Sequence, residues 1–344
     1  MNAYNVGIIG YGWVAGAHIA ALQATGRARI TSLLTSRPLD EARLAAQHGG
    51  PIKVYKDQAE FLAQPDLQVV SICSYPQDHA RQAIAAAKAG KNLIIEKPLA
   101  LNLEDLVAVR DAVKAAGVRV CVCFECRYSS QLRTAKAMVD QGLLGRVHYA
   151  EVDYFHGIGP WYGQYRWNVR KNAGGSSLLS AGCHAMDALL LLMGHDVDVV
   201  SSYATHSSAK EFSSYEYPTT SVTILKFRDG RVGKCASVID CQQPYYFRIQ
   251  LVGSEGTLLD DKFFSTKLGG LSKKQWSRLG VPMLDSGDVA DHPYQAQFEA
   301  YFHALDRGED MPLTSLADGV ATHEVIFAAD RSAATHDRKH PPQG

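Results

Sequence analysis

The sequence predicts an α/β protein with an N-terminal Rossmann-type, doubly wound parallel sheet. A second α/β domain with a large, mostly antiparallel open sheet follows it. Three observations carry this expectation. Short β-branched runs alternate with Ala-rich helical runs through the first 125 residues. A glycine-rich turn joins the first strand to the first helix. Beyond residue 125 the strand-like runs become longer and more polar, with turn signals between them.

In order, "YNVGIIG" reads as a strand, "VAGAHIAALQAT" as a helix and "ARITSLLTS" as a strand. "LDEARLAAQHG", "IKVY" and "DQAEFLAQ" continue the alternation, followed by "LQVVSICS", "PQDHARQAIAAAKAG", "KNLIIEKP", "NLEDLVAVRDAVKAAG" and "VRVCVCF". The nearly unbroken apolar content of "VVSIC" and "NLIIE" suits strands covered on both faces. The second half offers strands at "RVHYAEVDYFH", "VDVVSSYATHSS", "TTSVTILKFRDG", "RVGKCASVIDC" and "YYFRIQLVGSEGTLLDD", with hairpins at "RDGR" and "GSEG". A helix through His184 lies among these strands, and helices near 292–307 and 315–335 close the chain before a frayed tail, "HDRKHPPQG". The expected division is a dinucleotide-binding domain at 1–125 and a substrate and oligomerisation domain at 126–344.

Lys plus Arg and Asp plus Glu number 35 each, so the formal net charge is zero, which argues against nucleic acid or an anionic membrane as partner. The longest apolar run, near "ALLLLMG", reads as too short to span a bilayer. The first residues read directly as a strand rather than a signal segment. Together with an odd count of seven cysteines, this leads to the expectation of reduced thiols in the cytoplasm. Cys121, Cys123 and Cys126 lack a fourth ligand at metal-site spacing, so no metal centre is expected.

Gly10 and Gly12 fit the first two positions of a dinucleotide fingerprint, with Ala15 at the third. Trp13 and Val14, where the turn meets the helix, are further candidates for contact with the cofactor. The second strand ends in Ser36 and Arg37, where an NAD site usually carries a carboxylate. Arg37 suits a 2′-phosphate, giving a lean to NADP, although stacking on the adenine with NAD accepted is also open. Glu96, Lys97 and Pro98 stand at the carboxyl end of a buried strand, where open α/β sheets place ligands.

These residues carry a resemblance. The glycine turn, "SYPQDHARQAIAAAKAGKNLIIEKPLA", "LLGRVHYAEV" and "NAGGSSLLSAGCHAMDALLLLMG" together resemble the Gfo/Idh/MocA oxidoreductases over nearly the whole chain. The resemblance implies hydride transfer between a nicotinamide and a carbinol or carbonyl carbon of a sugar or cyclitol, in a homodimer or homotetramer formed through the second sheet. It further implies that Lys97 and His184 are catalytic, and that Ser74, Tyr75, Pro76, His79, Glu96, Lys97 and Arg127 lie along the cofactor.

The chemistry agrees with the family's pattern. Oxidising a secondary alcohol releases a proton with the hydride, and histidine titrates where it can accept one. Lys97 can stabilise negative charge on the reacting oxygen. Ser180 departs from the family, much of which has Asp four residues before the histidine. Either His184 remains the base, or Lys97 takes more of the proton transfer; Asp187 is either an orienter of His184 or an ordinary helix carboxylate. Trp161, Tyr162, Arg166, Trp167 and Arg170, together with Lys97, Ser180 and His184, are candidates for holding a polyhydroxylated substrate. For the loop residues, simple packing is the rival role. Two other functions stay open: redox-assisted lyase, hydratase or glycoside-cleaving chemistry through a keto-sugar, and a nucleotide-binding sensor without turnover.

Overall fold

The structure is a computed structural model that describes residues 3–285, 287–288 and 292–336. The expected tail at 337–344 lies outside the described residues. The chain forms two compact units, one of residues 1–125 with 289–320, the other of 126–288 with 321–344. The crossing after residue 125 is where the sequence suggested it. The return of 289–320 to the first unit differs from the expectation of one continuous stretch at 126–344.

The first unit alternates as the apolar periodicity predicts: β1 (Tyr4–Ile9), α1 (Trp13–Ala24), β2 (Ala28–Leu34), α2 (Glu41–His48), β3 (Lys53–Tyr55), α3 (Gln58–Leu62), β4 (Val69–Ile72), α4 (Pro76–Lys88), β5 (Asn92–Ile95), α5 (Leu103–Ala116) and β6 (Val120–Val122). Side-chain caps from Asp40, Asp57 and Asn102 start α2, α3 and α5 by accepting from amides in the first turn. The strands pair in parallel in the order β3-β2-β1-β4-β5-β6. The order reverses between β1 and β4, and ligands of such sheets collect beyond the strand ends at that reversal. β4 and the last three residues of β5 are wholly buried.

In the second unit, α6 (Ser130–Asp140), capped by Ser129, precedes β7 (Val147–Phe155). The short helices α7 (Tyr165–Asn168) and α8 (Lys171–Gly174) lead into a π-helical turn, Leu178–Gly182, and then α9 (Cys183–Met193). Strands β8 (Val197–Thr205), β9 (Thr220–Phe227), β10 (Val232–Val238), β11 (Tyr246–Gly253), β12 (Gly256–Leu259), β13 (Lys262–Ser265) and β14 (Ser277–Arg278) complete an eight-stranded sheet with β7. Its order is β14-β13-β12-β11-β7-β10-β9-β8, antiparallel throughout except for the parallel pair β7 and β10. The hairpins at 228–231 and 254–255 stand where the turn residues placed them.

The apolar run at 188–194 belongs to a longer helical stretch than the sequence suggested. The helical run 171–193 is long and apolar enough to cross a membrane by length and composition, but 89% of its most apolar window is buried inside the protein, as in a core helix. The last helices are α10 (Tyr294–Arg307), in the first unit, and α11 (Leu316–His336).

Candidate functional site

In the first unit, three turns follow β1, β4 and β5 at the same edge of the sheet. The first is the glycine turn. Gly10 has φ +87°, and a Cβ there would lie 2.8 Å from the Cys73 carbonyl oxygen, so both conformation and space require glycine. At Gly12 a Cβ would meet nothing within 4 Å, so this glycine leaves open space beside the start of α1. No side chain caps that start, and no acidic residue occupies the first turn of α1. Uncapped amides next to open space form a ready site for a phosphate group. Trp13 and Tyr75 are 44% and 48% exposed, unusual for residues of their size, and flank this edge. Ser36 and Arg37 lie exposed after β2, and the Arg37 guanidinium donates to the Tyr11 carbonyl at 3.0 Å.

The second turn carries Ser74, whose hydroxyl donates to Gln82 Oε1 (2.5 Å), and Pro76, the first residue of α4. His79 is buried in α4. Its Nδ1 donates to the Pro98 carbonyl at 2.7 Å, and its Nε2 lies 3.1 Å from the Ser74 carbonyl. Burial lowers its pKa, with the two carbonyls opposing. His79 thus pins the second turn to the third.

The third turn carries Glu96, Lys97 and Pro98, with a cis peptide between Lys97 and Pro98. Glu96 faces inward. Its Oε1 accepts from His18 Nε2 and from the Tyr294 hydroxyl, each at 2.8 Å, and its Oε2 accepts from the Lys97 amide at 3.1 Å. Burial works against its charge, but His18 more than offsets this and holds the carboxyl below its usual range. Burial likewise opposes a charge on His18, yet Cys73 and Glu96 outweigh it and raise His18 to about 10. A second, part-buried pair in this unit joins Glu125 Oε1 to His292 Nδ1 at 2.6 Å. Burial disfavours the His292 cation, but Glu125 prevails and raises its pKa.

Donor atoms of His18, Glu96 and Cys123 lie within 4.8 Å of one another, close enough to consider a metal. Two of the three already serve each other, with His18 Nε2 donating to Glu96 Oε1 at 2.8 Å, and burial pushes the Cys123 thiol well up. The seven cysteines are all free thiols, six of them buried.

In the second unit, the π-turn places Ser180 and α9 places His184, both buried. Cys126 Sγ and a His184 ring nitrogen lie within 4.8 Å. Burial raises the pKa of the nearby Tyr217 phenol, and Ser180 lowers it. Tyr217 in turn donates to the Asn168 carbonyl at 2.6 Å. Asp187 accepts from Arg127 Nε (2.6 Å) and Nη2 (2.7 Å) and from Thr322 Oγ1 (2.9 Å). Its oxygens therefore hold Arg127 and α11, which favours the structural over the orienting role. Arg127, expected along the cofactor, is likewise buried on Asp187.

The loop after β7 is mixed. Trp161 is 61% exposed, with its indole N–H tied to the Gly157 carbonyl (2.9 Å). It lines a cavity of about 420 Å³ together with His156, Gln242, Gln243 and Tyr245. Tyr162 donates to the Gly287 carbonyl at 2.8 Å, and Arg170 pairs with Glu216 at 2.6 Å. Arg166 is exposed and Trp167 half-buried. Sequence reasoning missed His18, Tyr294, Tyr217 and the Glu125–His292 pair. Tyr294 stands 198 positions from Glu96, and no local pattern links the two.

A doubly wound parallel sheet with a glycine turn at its reversal and a lysine at the end of β5 is the arrangement of a Rossmann-type dinucleotide-binding unit. Residues 4–124 match the family model described as "Oxidoreductase family, NAD-binding Rossmann fold", and residues 132–259 match the GFO/IDH/MocA C-terminal domain. The chain belongs to the Gfo/Idh/MocA oxidoreductases. It is 27% identical to myo-inositol 2-dehydrogenase of Thermotoga maritima, over 95% of each chain. It is 26% identical to levoglucosan dehydrogenase of Pseudarthrobacter phenanthrenivorans, over 96% of this chain and 88% of that one. The solved structure of a levoglucosan dehydrogenase in complex with NADH shares the fold at TM-score 0.84 and 24% identity, covering 97% of this chain and 98% of that one.

Proposed function

We propose that the protein transfers a hydride between a nicotinamide cofactor and a secondary alcohol or ketone carbon of a sugar, sugar derivative or cyclitol, with Lys97 and His184 as its proton-carrying groups. The observation that carries this reading is Lys97 at the carboxyl end of β5, its amide held by Glu96, in the unit that bears the Gly10–Gly12 turn. The turn and the open start of α1 fit a dinucleotide pyrophosphate. Bound, the nicotinamide supplies the hydride acceptor or donor. Lys97 donates to the reacting oxygen, and His184 takes the hydroxyl proton in oxidation and returns it in reduction.

Relatives named for myo-inositol and levoglucosan support a ring-shaped, polyhydroxylated substrate. The cavity beside Trp161 adds an aromatic face with carboxamides from Gln242 and Gln243, a composition suited to a sugar's apolar face and hydroxyl rim. The cofactor preference is NADP, because the end of β2 offers Arg37 and no carboxylate. Exposed Tyr203, Val222 and Ile224 on β8 and β9 support self-association of the second sheet into a homo-oligomer. The free thiols support a reducing, cytoplasmic setting.

The test is a panel of cyclitols, aldoses and anhydrosugars offered with NAD and NADP, following absorbance of the reduced nicotinamide. Turnover on at least one ring polyol is expected, faster with NADP. Lys97→Ala should lower kcat by about 10²–10⁴-fold while reduced nucleotide still binds, a loss of the size general acid–base groups produce. Undiminished turnover in Lys97→Ala would remove the lysine from the reaction.

A further inference from the structure

Lysine side chains are long and flexible, so a lysine that must meet one reacting atom needs its backbone fixed. At Lys97 the sheet cannot do this. The ladder of β5 ends at Glu96, whose amide donates to the Ile72 carbonyl at 3.1 Å, and the next amide has left the sheet. That amide is taken by Glu96 Oε2. The other carboxylate oxygen is held by two donors from distant parts of the unit, His18 on α1 and Tyr294 on α10.

His18 is itself fixed by Ser71 of β4, 2.9 Å from its Nδ1. Its ring lies 4.7 Å from that of Tyr294 and 5.1 Å from that of Phe298. Glu96, His18, Ser71 and Tyr294 are all buried. On the far side of the lysine, His79 holds the Pro98 carbonyl.

We propose that His18 and Tyr294 are positioning residues for Lys97, locking the Glu96 carboxylate that grips the lysine's amide and so presenting its ammonium from a fixed point. The inference rests on the reading of Lys97 as a proton-carrying group. The arrangement has a chemical logic. A bare carboxylate could swing toward the ammonium beside it; one held by two donors and a backbone amide is kept in place. His18 also sits on α1, the helix opened by the glycine turn, so one buried network ties that helix to Lys97. Support around a reactive group works in this way when supporting hydrogen bonds lock the rotamer.

The experiment follows two readouts in Tyr294→Phe, His18→Gln and Glu96→Gln. Hydrogen exchange of the Lys97 amide reports the grip itself and needs no turnover. The kcat and the KM for nucleotide, measured on the best substrate of the panel, report its consequence. Tyr294→Phe keeps the ring and removes one donor, so it is the variant expected to fold without difficulty. Each variant should speed exchange at Lys97 and lower kcat, by about tenfold for Tyr294→Phe and about a hundredfold for Glu96→Gln, with KM for nucleotide changed less than about twofold.

Tyr301→Phe, which removes a buried hydroxyl bonded to the Arg119 carbonyl, serves as control and should leave kcat unchanged. Exchange at Lys97 that stays slow in all three variants overturns the proposal. So does a loss of thermal stability with kcat per folded molecule intact. If the unsubstituted protein turns over nothing in the panel, the dehydrogenase reading fails, and amide exchange still decides whether the grip exists.

Discussion

Asp187 lies three residues after His184 on α9, close enough in sequence to suggest an orienting carboxylate. Its oxygens instead receive both ends of the Arg127 fork and the Thr322 hydroxyl, and both charged side chains are only 2% exposed. Removing one member of such a pair leaves the other charge buried away from solvent with its strongest partner gone. Asp187→Ala is expected to cost about 3–5 kcal/mol of stability, read from urea unfolding. A loss under about 1 kcal/mol would mean that Arg127 finds another partner or water. The same residues show what the sequence carries at this scale. The places of Lys97 and Gly10 in the fold were legible because a strand end and a tight turn constrain them locally. Glu96, His79 and Arg127 were placed on the right segments, but their facing was not legible. Whether a side chain turns toward a ligand or into the core depends on partners such as Tyr294 and Asp187, which lie far away in sequence.

Among the elements, those with a strong period were read correctly. β9 alternates buried and exposed residues along "TSVTILKF", and the same alternation is visible in its side chains. The π-turn at Leu178–Gly182 was not legible, because "LLSAG" has the composition of any buried helix. It alters the spacing assumed for Ser180 and His184, and turns of this type recur at functional sites. Its last residue is tightly packed: a Cβ on Gly182 would lie 2.3 Å from Ser237 Oγ and 2.4 Å from Ser237 Cβ. Because the clash reaches Cβ, rotating the serine cannot relieve it. Gly182→Ala is expected to cost about 1–3 kcal/mol and to lower kcat, since the first turn of α9 must shift and carries His184 with it. Denaturation and turnover measured beside Gly50→Ala, where a Cβ meets nothing within 4 Å, separate crowding from a general effect of removing glycine. Unchanged stability and kcat in Gly182→Ala would show that the turn moves freely.

For the molecule as a whole, the sequence suggested that the nucleotide-binding part ends at residue 125, because the strand–helix alternation ends there. The structure returns 289–320 to that unit, and the returning segment is part of its core. Tyr294, Phe298, Tyr301 and Phe302 of α10 are all buried. Phe302 stacks on Tyr4 at 5.2 Å, Gln297 donates to the Val122 carbonyl at 2.9 Å, and the Val122 amide donates to the Thr314 carbonyl at 3.0 Å. Each buried aromatic contributes about 1.5–3 kcal/mol, so the four together rival the whole stability of about 5–15 kcal/mol that a domain of this kind possesses. A fragment of residues 1–125 therefore exposes His18, Tyr4 and β6 to water and loses Tyr294 from the Glu96 network. It is expected to lack a cooperative unfolding transition and near-ultraviolet dichroism. Joining 292–320 to it through a flexible linker should restore both, together with slow exchange at the Lys97 amide. Cooperative unfolding of 1–125 alone would show that the returning helix is an addition to an independent core, and the coupling between α10 and Lys97 would then have to be sought in exchange rates rather than in folding.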